Sequence, residues 1–139
     1  MGKESKILIY RCESPNYEYE GNKHEHPYTK RKSWGPLPSP ENDDIGYIND
    51  YEVCGCSSLK QFHKWWPKGK WVTNKKKNQY LIFSVPKECV RKGKHQVVFD
   101  REEATIVGAL TKDHKRVFFN ESFTYGDYQR QKRKRTGNW

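Results

Sequence analysis

The sequence predicts a single α+β domain built on a central, mainly antiparallel sheet with two short helices. Three observations point there. A chain of 139 residues has room for one domain plus tails. Five short apolar runs read as strands, against two segments that read as helices. Two of those strands, Gln79–Val85 and His95–Phe99, follow one another closely enough to pair, which favours a mixed sheet over a doubly wound parallel one.

The elements follow in order. Lys6–Cys12 is a short apolar run ending in polar residues, as a buried strand does. Residues 13–50 form a long loop punctuated by Pro15, Pro27, Pro36, Pro38 and Pro40, with Trp34 as an anchor for an extended rib. A loop of that length in a small domain is expected to be functional or partly disordered. Tyr51–Cys56 reads as a second strand. Ser57 and Ser58 open a helix, and Ser58 with Gln61 has capping-box spacing. Leu59, Phe62, Trp65 and Trp66 recur on one helical face, and Pro67 and Gly69 end the run. Gln79–Val85 is the best central strand, and Pro86 stops it. Asp100 with Glu103 suggests a second capped helix over Arg101–Leu110. Arg116–Phe119 is the last strand. Residues 1–119 then make the domain and residues 120–139 a basic tail.

Only 33% of residues are hydrophobic, so the core must be small, and 20 aromatic side chains compensate for its size. The formal charge is +10, which favours anionic partners. The positive charge is clustered. Lys75, Lys76 and Lys77 form one block, Lys87, Arg91, Lys92 and Lys94 a second, and Arg130, Lys132, Arg133, Lys134 and Arg135 a third. No run approaches the roughly 20 apolar residues of a membrane-spanning helix, and Met1–Lys6 is too polar to open a signal peptide. The expectation is a cytoplasmic protein with reduced thiols and no membrane partner.

Cys54 and Cys56 lie two apart on a strand, on one face, but the paired CxxC or HxxxH spacing of a zinc site is absent. They read as buried structural cysteines, and no metal is expected. His24 and His26 sit in a polar loop with Glu25. No Ser/His/Asp order and no phosphate-binding glycine loop stands out. Arg11 closes an apolar strand, where a long cation needs an anion. Glu13 or Asp50 would serve as an ion pair, and a ligand phosphate is the functional alternative.

At this point the sequence resembles the Arg–Ser–Glu branch of the ADP-ribosyltransferase fold, over roughly residues 6–110. A first strand carries Ile9-Tyr10-Arg11. A second breaks into Ser57-Ser58 before a helix. A late strand, His95-Gln96-Val97-Val98-Phe99, follows its partner Tyr80–Val85. The chain also resembles small proteins of tailed bacteriophages, in its strand–Cys54-Gly55-x-Ser57–helix–Trp65-Trp66 layout and its Gln96-Val97-Val98-Phe99 strand, and for these the location would be the host cytoplasm. The resemblance implies that Arg11 holds an NAD phosphate, that Ser57 with Ser58 orients the nicotinamide ribose, and that Gln96 stands where the family's catalytic glutamate would be. A neutral amide keeps that hydrogen bond and loses the charge that stabilises the transition state, so binding is expected and efficient transfer is not.

Aromatic rings and cations alternate from Lys60 to Lys77: Trp66, Lys68, Lys70, Trp71 and Lys75–Lys77 offer stacking faces beside phosphate-attracting charge. With Arg130 and Lys132–Arg135 they make a candidate nucleic-acid surface of low sequence selectivity. The sequence therefore predicts a small phage-type accessory protein that binds a nucleotide or nucleic acid. An active NAD-dependent transferase and an inhibitor docking on a host protein are the alternatives.

Overall fold

Strict two-residue alternation runs through residues 6–13 and 79–86, and it divides the molecule into layers. The computed structural model describes residues 5–13, 44–66, 79–128 and 130. Seven strands and one named α-helix are present there: β1 Lys6–Glu13, β2 Glu52–Gly55, α1 Leu59–Trp65, β3 Gln79–Pro86, β4 Val90–Lys92, β5 Val97–Asp100, β6 Thr105–Leu110 and β7 Arg116–Thr124. They form two antiparallel sheets, one in the order β1-β3-β6-β7 and the other β2-β5-β4. The architecture is a small domain of antiparallel sheets with little helix, compatible with α+β.

The four-stranded sheet is covered on both faces. On one, Tyr10, Cys12, Tyr80 and Ile82 pack with Phe62, Trp65 and Trp66 of the α1 region. On the other, Ile9, Leu81, Phe83 and Val85 meet Val53, Val97 and Phe99 of the second sheet. The outer face of that second sheet, Cys54 and Val98, is closed by Ile45 and Ile48. At 25 cal/mol per Å² or so of apolar surface removed from water, these clusters supply the main driving force for folding. A backbone bridge joins the layers: Tyr10 and Cys56 exchange two N–H···O bonds of 2.8 Å.

Two expectations are corrected. Residues 101–110 are not a helix. Asp100 does cap a turn, accepting from the Glu102 N–H, but that turn is a 3-10 segment of three residues, Arg101–Glu103, and β6 follows. Thr105, Ile106 and Val107 are a β-branched run, and pairing on both edges outweighs the local capping signal. The strands at 79–86 and 97–100 do not pair either. β3 lies between β1 and β6, while β5 is the centre of the other sheet. Two hydrophobic strands close in sequence became two layers of a core instead of neighbours in one sheet.

Register accounts for β6. Gly108 faces Ile82 but Ile106 faces Phe83, so Val107 is an extra residue in the ladder. The bulge shifts the alternation by one, which lets Ile106 join the inter-sheet core while Leu110 joins the cluster under α1. On its other edge, residues 119–122 of β7 oppose Val107 alone. β7 is exposed along most of its length, with Val117, Phe118 and Phe119 at 50%, 55% and 39%.

Candidate functional site

The start of α1 sets its chemistry. Ser58 is the N-cap, in extended conformation at φ −148°, ψ 161°, and its Oγ accepts the Gln61 N–H at 3.0 Å. Gln61 reaches back, and its Oε1 accepts the Ser57 N–H at 2.8 Å. The predicted capping box is thus formed, with the return bond falling on Ser57, one residue before the cap. Both side chains have spent an acceptor on the backbone. Each keeps donors for other partners: the Ser58 O–H and the two N–H bonds of Gln61 Nε2.

Phe62, Trp65 and Trp66 bury one side of α1, which leaves Lys60, His63 and Lys64 on the exposed side. The opposing wall is the β4–β5 turn, closed by Gly93 N–H to the Gln96 carbonyl at 2.8 Å. Trp65 Nε1–H donates to the His95 carbonyl at 3.0 Å and pins helix to turn. Between the walls lies a cleft of about 130 Å³ lined by Ser58, Lys60, Gln61, Lys64, Lys94 and His95. Lysines from both walls line it with Ser58 and Gln61, and among the described residues no carboxylate does. Such a lining favours an anion with several acceptor oxygens.

The residues expected from the transferase resemblance fall elsewhere. The Tyr10–Cys56 bridge does bring the Arg11 strand beside the Ser57 segment. Alternation then sends Arg11 to the face opposite Tyr10, where it is fully buried. Its Nε–H donates to Glu13 Oε2 at 2.6 Å and its Nη1–H to the Cys54 carbonyl at 2.7 Å. The expected ion pair with Glu13 is therefore what the arginine makes. Gln96 is fully buried, and Ser57 is half-buried. None of the three lines the cleft, whereas Ser58 does.

Trp66 is a second correction. Its ring is fully buried, 5.0 Å from Phe62 and 5.9 Å from Trp65, and so presents no face to a base. The apolar stripe of α1 outweighs the cations interleaved with it. Arg130 is exposed and pairs with Asp127. Arg91, counted above with the basic blocks, is a clamp: Nε and Nη2 grip Glu52 at 3.0 and 2.6 Å, and Nη1 and Nη2 donate to the Ile45 and Tyr47 carbonyls. Lys68, Lys70, Trp71, Lys75–Lys77 and Lys132–Arg135 lie outside the described residues, as does most of the loop 13–50, including Trp34, His24 and His26.

All four cysteines are unoxidised thiols, three of them buried. Burial pushes the Cys56 thiol up, and the nearby Cys54 adds to the effect. Among the described residues, no three His, Cys, Asp or Glu side chains gather at metal-binding reach, and no helix is long and apolar enough to cross a membrane.

Sequence reasoning singled out Ser58 and noted Lys60, Lys64 and Lys94, but did not join them, because the joint is a tryptophan-to-carbonyl bond spanning 30 residues. It missed Tyr125 altogether. That residue sits in a helical turn at 125–128 and buries its hydroxyl on Glu13.

No curated protein and no solved structure matches the chain. A family model described as Bacteriophage T4 Y00F protein matches residues 4–113, a span that takes in six of the seven strands and both walls of the cleft. The chain therefore belongs to the bacteriophage T4 Y00F protein family.

Proposed function

We propose that this phage protein is a small accessory protein that binds nucleic acid through its cationic surface, with the cleft beside α1 as the ordered part of that surface. The observation that carries the reading is the lining: lysines from two elements, plus a serine and a glutamine whose oxygens each accept a backbone N–H. The net charge of +10 and the basic blocks supply long-range attraction. Neither NAD nor ADP-ribosyl transfer belongs to this reading. The guanidinium assigned to the NAD phosphate is turned to Glu13 and Cys54, and the residue in the catalytic position is a buried amide.

The test is fluorescence polarisation with single- and double-stranded DNA and RNA across a salt series. Affinity should fall steeply and log-linearly with salt, with little dependence on sequence. Removing residues 131–139 should lower the slope and leave the melting temperature unchanged. No binding to any of the four at low salt would dispose of the reading.

A second reading, docking on a host protein, has one observation in its favour. Val117, Phe118 and Phe119 are exposed in succession on edge strand β7. Salt-insensitive binding of a purified host protein, lost on Phe118→Ser, would establish it in place of the first.

A further inference from the structure

We infer that β7 is a stacking platform for single-stranded nucleic acid, with Phe118 as the ring on which a base lies. The inference rests on the nucleic-acid reading above and gives it a surface and a strand state. Three observations carry it.

The first is an exposed ring beside a held cation. Phe118 is 55% exposed, and β7 is the last strand of its sheet among the described residues. Register sets Arg116 opposite Leu110 and Phe118 opposite Gly108, so guanidinium and phenyl ring share one face of the sheet. That face is the one carrying Tyr10: the Arg116 Nε–H donates to the Tyr10 hydroxyl at 3.0 Å, and the guanidinium lies 6.0 Å from the Tyr10 ring centroid. The charge is thereby held in place. The strand is held too. A Cβ on Gly108 would collide with the Val117 carbonyl and come within 3.1 Å of the Phe118 Cα, so β7 lies close against β6. A platform fixed before its ligand arrives lowers the ordering cost of binding.

The second is the break in the ladder. Residues 119–122 oppose Val107 alone, next to the exposed rings. A strand added to this edge, from a second copy or from a host protein, needs an even row of backbone N–H and C=O groups, and a bulge disrupts it. A base needs only a π face. Around the break, Phe118, Phe119, Asn120, Glu121 and Phe123 line an open groove, and Phe119 is braced edge to face on Phe123 with centroids 6.1 Å apart. A duplex keeps its base faces stacked on one another and cannot offer them, so the platform favours single strands.

The third is charge. Residues 112–139 hold eight Lys and Arg against three Asp and Glu, a net +5 of the chain's +10. Lys112 and Lys115 in the β6–β7 turn and Arg116 at the start of β7 are exposed; Asp113 and Glu121 are the opposing charges beside them. The phosphates flanking a stacked base meet this excess, whereas a second copy would bring the same excess against itself.

The experiment titrates full-length protein with a labelled single strand and with the duplex of the same sequence at low salt. The single strand should bind about tenfold tighter. Phe118→Ala should weaken the single strand by about tenfold, equivalent to roughly 1.4 kcal/mol, and the duplex by less than about twofold. The salt slope should stay as it was, because no phosphate contact is removed. Phe118→Tyr keeps a ring and should keep the affinity. Phe118 is exposed, so both variants should melt with the parent protein. Ultraviolet cross-linking to an oligothymidylate should mark the peptide that contains Phe118.

Equal affinity for strand and duplex overturns the platform and leaves the nucleic-acid reading standing. So does a loss on Phe118→Ala that both share equally. Failure of both to bind removes the reading with the inference. If Phe118→Ala keeps its affinity for the single strand and loses a salt-insensitive complex with a host protein, β7 is a protein-docking edge and the inference falls.

Discussion

Tyr125 donates its phenolic hydroxyl to Oε2 of Glu13 at 2.5 Å, across 112 residues of chain, and the same oxygen takes the Arg11 Nε–H at 2.6 Å. Arg11 and Glu13 are both fully buried. The network ties β1 to the turn after β7, and through the Cys54 carbonyl to the second sheet. Withdrawing two charges from water costs nearly as much as their attraction returns. The intact pair therefore adds little net stability, whereas losing one member would leave the other buried without its partner. Burial, reinforced by the Glu13 charge, holds the Tyr125 hydroxyl above its ordinary pKa, so it remains a donor.

Breaking the pair should cost far more than the pair contributes. Glu13→Gln leaves the Arg11 charge buried beside a neutral amide, and the expected loss is about 3 kcal/mol. Tyr125→Phe removes one bond to a charged acceptor and should cost about 1.5–2 kcal/mol. Both are read by urea unfolding. In the double variant the losses should fall short of their sum, since the two residues share one oxygen. Strict additivity would mean that the network does not act as a unit.

Glu52 predicts a pH dependence. Burial alone would raise its pKa, but hydrogen bonds from Arg91 and Asn49, with the Arg91 charge, outweigh that and hold it below its ordinary value of 4.5. A carboxyl depressed in the folded state stabilises the fold above its unfolded value. That contribution is lost as pH falls through the folded value. Melting temperature should therefore drop as the solution is acidified below about pH 4.5, and Glu52→Gln should flatten part of that drop. At neutral pH the variant should lose about 1 kcal/mol, a modest figure because the Arg91 side chain is 41% exposed and partly screened by solvent.

How far the sequence carried can be judged from particular residues. β1, β2, β3, β5 and the start of β7 were legible because apolar runs bounded by Gly, Pro and charge have few other solutions. α1 was legible from the Ser58–Gln61 spacing and the Phe62, Trp65, Trp66 stripe. β6 was lost because Asp100 and Glu103 imitate a helix start, and the ladder that overrides them lies on strands far away in sequence. Layering was lost for the same kind of reason: nothing local tells Gln79–Pro86 and Val97–Asp100 that they belong to different sheets. Of the site, Ser58 was legible through its capping role. The cleft was not, because Lys94 reaches it through tertiary packing.

Gly55 makes the layering testable. It stands where β2 crosses closest to β1. A Cβ added there would come within 2.5 Å of Ile9 Cγ2, 3.0 Å of Phe99 Cε1 and 3.2 Å of the Tyr10 carbonyl. Ile9 and Phe99 are fully buried core residues, so neither can step aside without opening space elsewhere. Gly55→Ala should destabilise by about 2–3 kcal/mol, even though it adds a single methyl group. Thermal unfolding followed by tryptophan fluorescence checks it. A loss below about 0.5 kcal/mol, the range of a surface substitution, would show that the sheets are not this close.

Trp65 links stability to binding. Its indole N–H is what fastens α1 to the β4–β5 turn, 3.0 Å from the His95 carbonyl, and its ring is buried in the cluster with Phe62 and Tyr80. Trp65→Phe keeps an aromatic ring in place and removes the bond, leaving a half-buried carbonyl and a small void. Stability should fall by about 2 kcal/mol from the two effects together. The helix and the turn should then move independently, and amide exchange should quicken across Leu59–Trp65 more than in β3. Because Lys60 and Lys64 sit on one wall of the cleft and Lys94 on the other, its donors lose their fixed spacing. Affinity for single-stranded DNA at low salt should fall severalfold at a temperature where the variant is still fully folded. An unchanged affinity there would mean that each lysine acts alone and that the wall-to-wall bond is irrelevant to nucleic-acid binding.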